Sequence, residues 1–287
     1  MALRAKSFLR LLRAPRFRAV KPLHRCAIVL RSMVDSKNKA AKKETHAKKA
    51  SAPNRAAKSS ARPAKRSSRN SPFGRGPNPE RVKAILRGLD EAYPAASCAL
   101  KHDNPFQLLI STILSAQCTD ERVNMVTPGL FKKYPTPAEF AYANPRDIEE
   151  EIRSTGFYRN KTKSILGASK KIVEEFGGEV PRTMEQILTL PGVARKTANV
   201  VLGTGFGIAS GVVVDTHVQR LSRRLDLTKN TDPKKIETDL MKVIPEDRWI
   251  LFSHQLIWHG RRICKARKPL CIECNLEKIC YSKDKTI

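Results

Sequence analysis

The fold of this 287-residue chain is decided by one stretch, LPGVARKTA at residues 190–198. Pro191 ends a helix, and Gly192 lets the chain turn tightly. The next helix begins at once, so its first backbone N–H groups have no partner and its dipole end is positive. The stretch therefore predicts a helix–hairpin–helix with a site for phosphate at its mouth.

Lys196 falls in the first turn of the second hairpin helix. The positive helix end disfavours a cation there, and we expect burial of the side chain to add to that effect. A neutral amine is a nucleophile, whereas the alternative is an ordinary surface lysine on a helical turn. The motif alone leaves both interpretations open.

A candidate carboxylate, Asp215, stands in GVVVDTH at residues 211–217, between an apolar run and a helix. One interpretation is a helix N-cap, for which Asp is well suited. The other is a carboxylate at the edge of the core that stabilises a developing cation or assists a nucleophile. In the second case Lys196 and Asp215 form a pair.

Helical patterns run through the rest of the body. Apolar residues recur with a period of 3.6, and Asn-Pro or Asp-Pro pairs at residues 104, 144 and 232 begin helices. A capping box is expected at residues 183–186, and the last helix is expected to end at Gly260. The short run at residues 212–214 is too isolated for a sheet. We predict an all-α protein of about ten helices.

Four of the seven cysteines lie within 17 residues near the C-terminal end: Cys264, Cys271, Cys274 and Cys280. Such a group in a chain without a secretory signal indicates a metal site rather than disulfides. Four thiolates suit zinc or an iron–sulfur cluster. Because only one pair is closely spaced, the pattern leans towards iron–sulfur.

The charge is large and uneven: 55 Lys and Arg face 27 acids, for a net charge of +28. The first 80 residues hold 22 of the cations and only three acids. This indicates a polyanionic partner, most simply nucleic acid, and no apolar run reaches the roughly 20 residues of a membrane span. Residues 35–75 are predicted to be disordered, either as a solubilising tail or as a phosphate-binding arm.

Residues 1–34 carry nine Lys or Arg and no acid, with scattered apolar residues. This composition is typical of a mitochondrial transit peptide, and the alternative is an upstream start codon with Met33 as the true beginning. We expect a cytoplasmic, nucleoid-associated bacterial protein. A mitochondrial or nuclear location is the alternative if residues 1–34 form a transit peptide.

The motifs together resemble the endonuclease III family of helix–hairpin–helix DNA glycosylases, over nearly all of residues 80–281. The resemblance rests on residues 190–198, 214–217 and 115–120 and on the cysteine cluster. It implies base excision repair of duplex DNA that carries a damaged base or an abasic site. In such an enzyme Lys196 would be the nucleophile and Asp215 its essential carboxylate. The enzyme would remove oxidised pyrimidines and cut the strand 3′ to the abasic site by β-elimination.

The same resemblance implies further roles. Gln117 would fill the gap left by the flipped nucleotide, and Phe157 would be an apolar wedge, although a core position is the alternative for Phe157. The cysteines would hold a structural [4Fe–4S] cluster. One departure is Ala194, where the family usually has a second glycine. The residues expected at the DNA are Gln117, Phe157, Pro191, Gly192, Val193, Ala194, Arg195 and His217.

The expected architecture is a disordered basic tail, residues 1–79, followed by two helical domains. One domain spans residues 98–210 and contains the hairpin. The other combines residues 80–97 with 211–287 and bears the cluster. We expect DNA in the cleft between the two domains, and a monomer.

Two rival functions remain open from the sequence. Adenine-mismatch glycosylases resemble the chain, but they typically lack the hairpin lysine, carry a Glu near the position of Thr112 and have a further C-terminal domain. A non-catalytic helix–hairpin–helix protein with a structural metal is the second rival. Mere DNA binding would not need both Lys196 and Asp215, so that pair discriminates between the classes.

Overall fold

The computed structural model describes residues 73–287. The predictions for the targeting segment at residues 1–34, and for most of the basic tail, lie outside the described residues. Within residues 73–287 the secondary structure is helical and contains no strand, so the all-α prediction is confirmed. Residues 212–214 form no strand, as expected.

Eleven α-helices make up the described part of the chain. They are α1 (Pro79–Ala92), α2 (Pro105–Leu114), α3 (Asp120–Lys133), α4 (Pro137–Ala141), α5 (Pro145–Ile152), α6 (Tyr158–Phe176), α7 (Met184–Ile187), α8 (Arg195–Val200), α9 (Thr216–Arg224), α10 (Pro233–Val243) and α11 (Trp249–Arg262). Short 3₁₀ turns and a π-helical turn at Val201–Gly205 connect or extend them. None of these helices is long and apolar enough to cross a membrane.

Side-chain caps begin most of the long helices. Asn104, Asn144 and Asp232 each accept a backbone N–H bond, and each is followed by the proline that starts its helix. The capping box lies at Thr136–Glu139 rather than at residues 183–186. At residues 183–186 the side-chain oxygen of Gln186 accepts a hydrogen bond from the Thr183 hydroxyl and not from the Thr183 backbone N–H. The reciprocal bond of a capping box is therefore missing.

Gly260 does not end the last helix, contrary to the sequence prediction. Helix α11 continues to Arg262, and the glycine lies where α9 packs closely against α11. A Cβ atom at residue 260 would lie 2.8 Å from Nδ1 and 3.0 Å from Cβ of His217. The glycine is therefore explained by this close approach and not by a helix stop.

Two hydrophobic cores lie within residues 73–287. The first is built from side chains between Leu100 and Leu202, and the second joins α1 to side chains between Val212 and Leu276. The proposed division into a domain at residues 98–210 and a domain at 80–97 plus 211–287 rests on these two cores. Both cores contain many side chains with no exposed surface.

Arg81 fixes α1 to the C-terminal part of the second core. Its guanidinium is fully buried and donates to the carbonyl oxygens of Ile279, Gly76 and Leu225. The backbone N–H of Gly76 in turn donates to Asp226 at 3.0 Å. Gly76 is therefore held against the second core through both its carbonyl oxygen and its backbone N–H.

Candidate active site

The hairpin turn has the geometry that its sequence demands. The N–H of Val193 donates to the carbonyl oxygen of Leu190 at 3.2 Å, with proline and glycine between them. Gly192 has a φ of +77°, and a Cβ atom there would lie 2.5 Å from Cβ of Ser164. A proline followed by a glycine with positive φ is typical of a type II turn. Gly192 thus allows both the turn and its close approach to α6.

Helix α8 begins directly after this turn, and Lys196 is its second residue. The Lys196 side chain is exposed, so the expectation that it is buried is wrong. Ala194 precedes the helix with an extended backbone at φ −99°, which any residue adopts. The alanine that departs from the family pattern is therefore accommodated without strain.

Asp215 is the N-cap of α9. Its Oδ1 accepts two bonds of 2.8 Å, from the backbone N–H groups of His217 and Val218. Its Oδ2 forms no hydrogen bond with the described residues. The half-buried carboxylate is thus held by one oxygen and presents the other. The capping interpretation and the functional interpretation are compatible, because they use different oxygens.

A buried carboxylate joins the two segments that carry Lys196 and Asp215. Oε2 of Glu237, on α10, accepts a 2.8 Å bond from Nε of Arg195, and its Oε1 accepts a 2.8 Å bond from Asn199. Asn199 also accepts a bond from the Ser210 hydroxyl at 3.0 Å. A Cβ atom at Gly211 would lie 2.2 Å from Oε1 of Glu237. We call these residues the Glu237 network.

The Glu237 network links α8 to the segment that leads to Asp215. The Glu237 side chain is 7% exposed, and its hydrogen bond raises the pKa of Arg195. The expectation that Arg195 contacts DNA therefore applies to a side chain already held by Glu237. The sequence analysis missed Glu237, although an acid between Ile236 and Leu240 on an apolar helix stripe is an unusual placement.

Gln117 and Phe157 both protrude from the surface in strained turns. Their φ angles are 53° and 49°, in the left-handed region that residues other than glycine rarely occupy. Gln117 is exposed, and Phe157 is 62% exposed. The structure therefore places Phe157 outside the core, and the core alternative for this residue is wrong.

His217 lies between α9 and α11 and is half-buried. Its Nδ1 is 3.2 Å from Nη2 of Arg220, which also donates to the carbonyl oxygens of Gly260 and Cys264. Because arginine is always a donor, Nδ1 accepts, and the ring proton lies on Nε2. Burial lowers the pKa of His217, Asp215 opposes this effect, and Arg220 adds to it. The imidazole ring of His217, beside Asp215, is therefore neutral.

The four C-terminal cysteines line one cavity. All cysteines of the described residues are free, and Cys264, Cys271, Cys274 and Cys280 share this cavity. Nη1 of Arg224 lies 3.2 Å from the Cys264 sulfur. Burial raises the pKa of Cys274 to about 11 and also raises the pKa of Cys280. A thiolate-binding group must therefore displace thiol protons when it binds.

These thiols surround the cavity rather than meet at a point. No three His, Cys, Asp or Glu side chains among residues 73–287 converge closely enough to hold a single metal ion. Four thiols spaced around a cavity suit a group larger than one ion. The donor set is therefore compatible with an iron–sulfur cluster.

A strongly basic cavity of about 690 Å³ lies beside α9. Its lining includes Thr216, the residue that follows Asp215. Two acids line it, and they pair with Arg224 and Lys229. The excess positive charge matches the polyanionic partner that the composition predicts. The cations that line this cavity are Arg75, Arg220, Arg223, Arg224, Lys229 and Lys283.

Comparison with known proteins follows the same lines. Residues 110–246 match the model of the HhH-GPD superfamily of base excision DNA repair proteins. Endonuclease III of Synechocystis sp. is 62% identical over 203 residues, which span 71% of this chain and 93% of that protein. The chain belongs to the endonuclease III family.

Solved structures of endonuclease III share the fold. A trapped covalent endonuclease III–DNA intermediate, an estranged-adenine complex, has a TM-score of 0.68 and 41% identity, covering 71% of this chain and 96% of that chain. A non-covalent endonuclease III–DNA complex has a TM-score of 0.68 and 42% identity, covering 71% and 95%. The similarity therefore extends over nearly the whole of those endonuclease III chains.

The Glu237 network is open to a direct test by Glu237→Gln. The amide places a donor where Arg195 and Asn199 both donate, so a buried donor loses its partner. We expect the free energy of unfolding to fall by about 1–3 kcal/mol. Urea denaturation measures this change. The control is Glu150→Gln, on the exposed face of α5, which should leave stability unchanged. An equal and negligible effect of both substitutions would contradict the proposed link.

Proposed function

We propose that the protein is a bifunctional DNA glycosylase and abasic-site lyase that acts in base excision repair. It removes oxidised pyrimidines from duplex DNA and cleaves the strand 3′ to the abasic site. The observation that carries this proposal is the Glu237 network. It joins the helix of an exposed lysine, Lys196, to the segment of a half-buried carboxylate, Asp215. Family membership supports the same function.

The chemistry uses Lys196 as a covalent nucleophile. Its neutral amine attacks C1′ of the damaged nucleotide, and the bond from C1′ to the base breaks, so the base leaves as the amine loses a proton. The sugar ring opens to a Schiff base. Removal of a C2′ proton then breaks the bond from C3′ to the 3′ oxygen, and water releases the lysine. Oδ2 of Asp215 stabilises the positive charge that develops at the sugar.

The damaged nucleotide must leave the duplex before this attack, because C1′ cannot be reached inside the stack. Gln117 then offers donors and acceptors to the orphaned base, and Phe157 parts the base step as an apolar wedge. The exposure and the left-handed turns of both residues support these roles. Residues 191–195 and His217 are proposed to lie along the DNA backbone.

The cofactor is proposed to be a [4Fe–4S] cluster held by Cys264, Cys271, Cys274 and Cys280. When bound, such a cluster would have a structural role, because it would tie the four cysteine segments together near the DNA. The cavity that the four thiols line and their spacing in the chain support it. The basic residues between the first two ligands would then be fixed where they meet phosphate.

The rival functions fit these observations less well. Thr112 donates its hydroxyl to the carbonyl oxygen of Leu108 on its own helix, so this position supplies no carboxylate of the adenine-mismatch kind. A non-catalytic binding module would not need Lys196 and Asp215 together. We propose that the protein acts as a monomer on damaged duplex DNA and is nucleoid-associated in a bacterial cytoplasm. A mitochondrial or nuclear location is the alternative if residues 1–34 form a transit peptide.

Borohydride trapping tests the nucleophile. Reduction of the Schiff base should cross-link the parental protein covalently to an oligonucleotide with an abasic site, and Lys196→Gln should abolish the cross-link because no amine is left to form it. Gel electrophoresis reads the product. Lys163→Gln, which removes an exposed lysine from α6, is the control and should cross-link as the parent does. Undiminished trapping by Lys196→Gln would exclude this lysine as the nucleophile.

Asp215→Asn separates capping from catalysis, because asparagine caps helices about as well as aspartate. We expect the melting temperature and the DNA affinity to change little. The kcat for base excision should fall by about 100-fold, the scale of a lost electrostatic contact to the transition state. Thermal melting and single-turnover kinetics measure these quantities. A parallel loss of affinity and turnover would indicate that the carboxylate has only a binding or structural role.

An absorption spectrum of the purified protein tests the cluster. Iron–sulfur ligation should give a broad visible band and about four iron atoms per chain, whereas zinc absorbs no visible light. Cys274→Ala should reduce both the band and the iron content. Cys98→Ala, a cysteine of the first core, should leave both unchanged. A colourless protein that contains stoichiometric zinc would exclude the proposed cofactor.

A further inference from the structure

A lysine that the proposed chemistry does not use lies inside the first core. Lys161, on α6, is only 5% exposed. Its ammonium donates to the carbonyl oxygen of Leu114 at 2.8 Å and to that of Thr155 at 2.7 Å. Among the described residues it forms no ion pair. A buried ammonium is costly unless hydrogen bonds compensate it, so an apolar side chain would serve a mere core position better.

The two carbonyl groups belong to the two turns that present Gln117 and Phe157. Leu114 is the last residue of α2, three residues before Gln117. Thr155 ends a 3₁₀ turn, two residues before Phe157. Both protruding residues have left-handed backbones, which persist only when their surroundings hold them. One ammonium therefore bonds to the base of each strained turn.

We propose that Lys161 is a positioning residue that joins these two turns, so that Gln117 and Phe157 stand at a fixed separation and enter the duplex together. This rests on the proposed roles of Gln117 and Phe157. Lysine suits the task because one Nζ carries three donors and reaches carbonyl groups from separate segments. The carbonyl groups at a helix C-terminus also attract a cation.

Loss of a positioning role at Lys161 should affect duplex and single-stranded substrates differently, whereas a general loss of stability should affect both alike. Extrusion of a paired base from a duplex costs unstacking and unpairing energy. A wedge and a gap-filling side chain held at a fixed separation would offset this cost together. An abasic nucleotide in single-stranded DNA has neither a partner base nor a stack to open. Loss of the Lys161 bridge should therefore slow excision from duplex DNA, and should leave the lyase reaction of Lys196 on single-stranded DNA nearly intact.

The experiment compares Lys161→Met with Lys163→Met, an exposed lysine on the same helix. Two single-turnover rates are measured for each: base excision from a duplex with one oxidised pyrimidine, and cleavage of a single-stranded abasic oligonucleotide. For Lys161→Met the ratio of the first rate to the second should fall at least tenfold. For Lys163→Met the ratio should equal the parental one.

A double variant tests whether Lys161 acts through the wedge. If it does, Lys161→Met combined with Phe157→Ala should slow duplex excision no more than the slower single variant. Should Lys161→Met fail to fold, Lys161→Gln, which keeps a shorter donor, is judged by the same ratio.

Equal losses in both rates, an unchanged ratio or fully additive effects would overturn the role of Lys161. Failure of the proposed function would look different. The parental protein would then not cleave the abasic oligonucleotide at all.

Discussion

The carboxylate of Glu237 is the constraint on which the rest of the site depends. It accepts bonds from Arg195 and Asn199 on α8, and it leaves room at residue 211 for a glycine only. The helix of Lys196 and the segment before Asp215 come from opposite sides of the boundary between the two hydrophobic cores. A single buried acid on α10 thus fixes two segments that neither core alone would align.

At Asp215 one side chain caps a helix and also carries the proposed chemistry. One carboxylate oxygen satisfies two N–H groups at the start of α9, and this holds the side chain in one orientation. The other oxygen is then directed without further support. Lys161 likewise combines two functions. Its ammonium satisfies two helix-end carbonyl groups and at the same time joins the two turns to which they belong. In both cases a stabilising bond orients a group for which we propose a role in the reaction.

Local sequence signals predicted the features that depend on neighbours in the chain. The Asn-Pro helix starts, the turn at Gly192 and the cysteine group need only short-range geometry, and the structure shows each of them. Features that depend on distant contacts could not be read in this way. Gly260 resembles a helix stop, but its role is set by His217, which is more than 40 residues away.

Other features that the sequence did not predict also depend on distant contacts. Lys161 gives no signal in the sequence, and Glu237 only an unusual position on an apolar helix stripe, so their burial and their partners reveal their roles. Helix α3 contains Pro128 in its interior, and proline normally indicates the end of a helix, so the sequence pattern did not indicate this helix. Burial of Lys196 was expected to add to the effect of the helix end, yet this side chain is exposed.

The proposed reaction requires a covalent link between the amine of Lys196 and the sugar. Its most direct test is to digest the borohydride-reduced protein–DNA adduct with a protease and to locate the modified residue by mass spectrometry. The account predicts that the sugar remnant lies on Lys196 and on no other lysine. A remnant on a different lysine, with Lys196 unmodified, would contradict it.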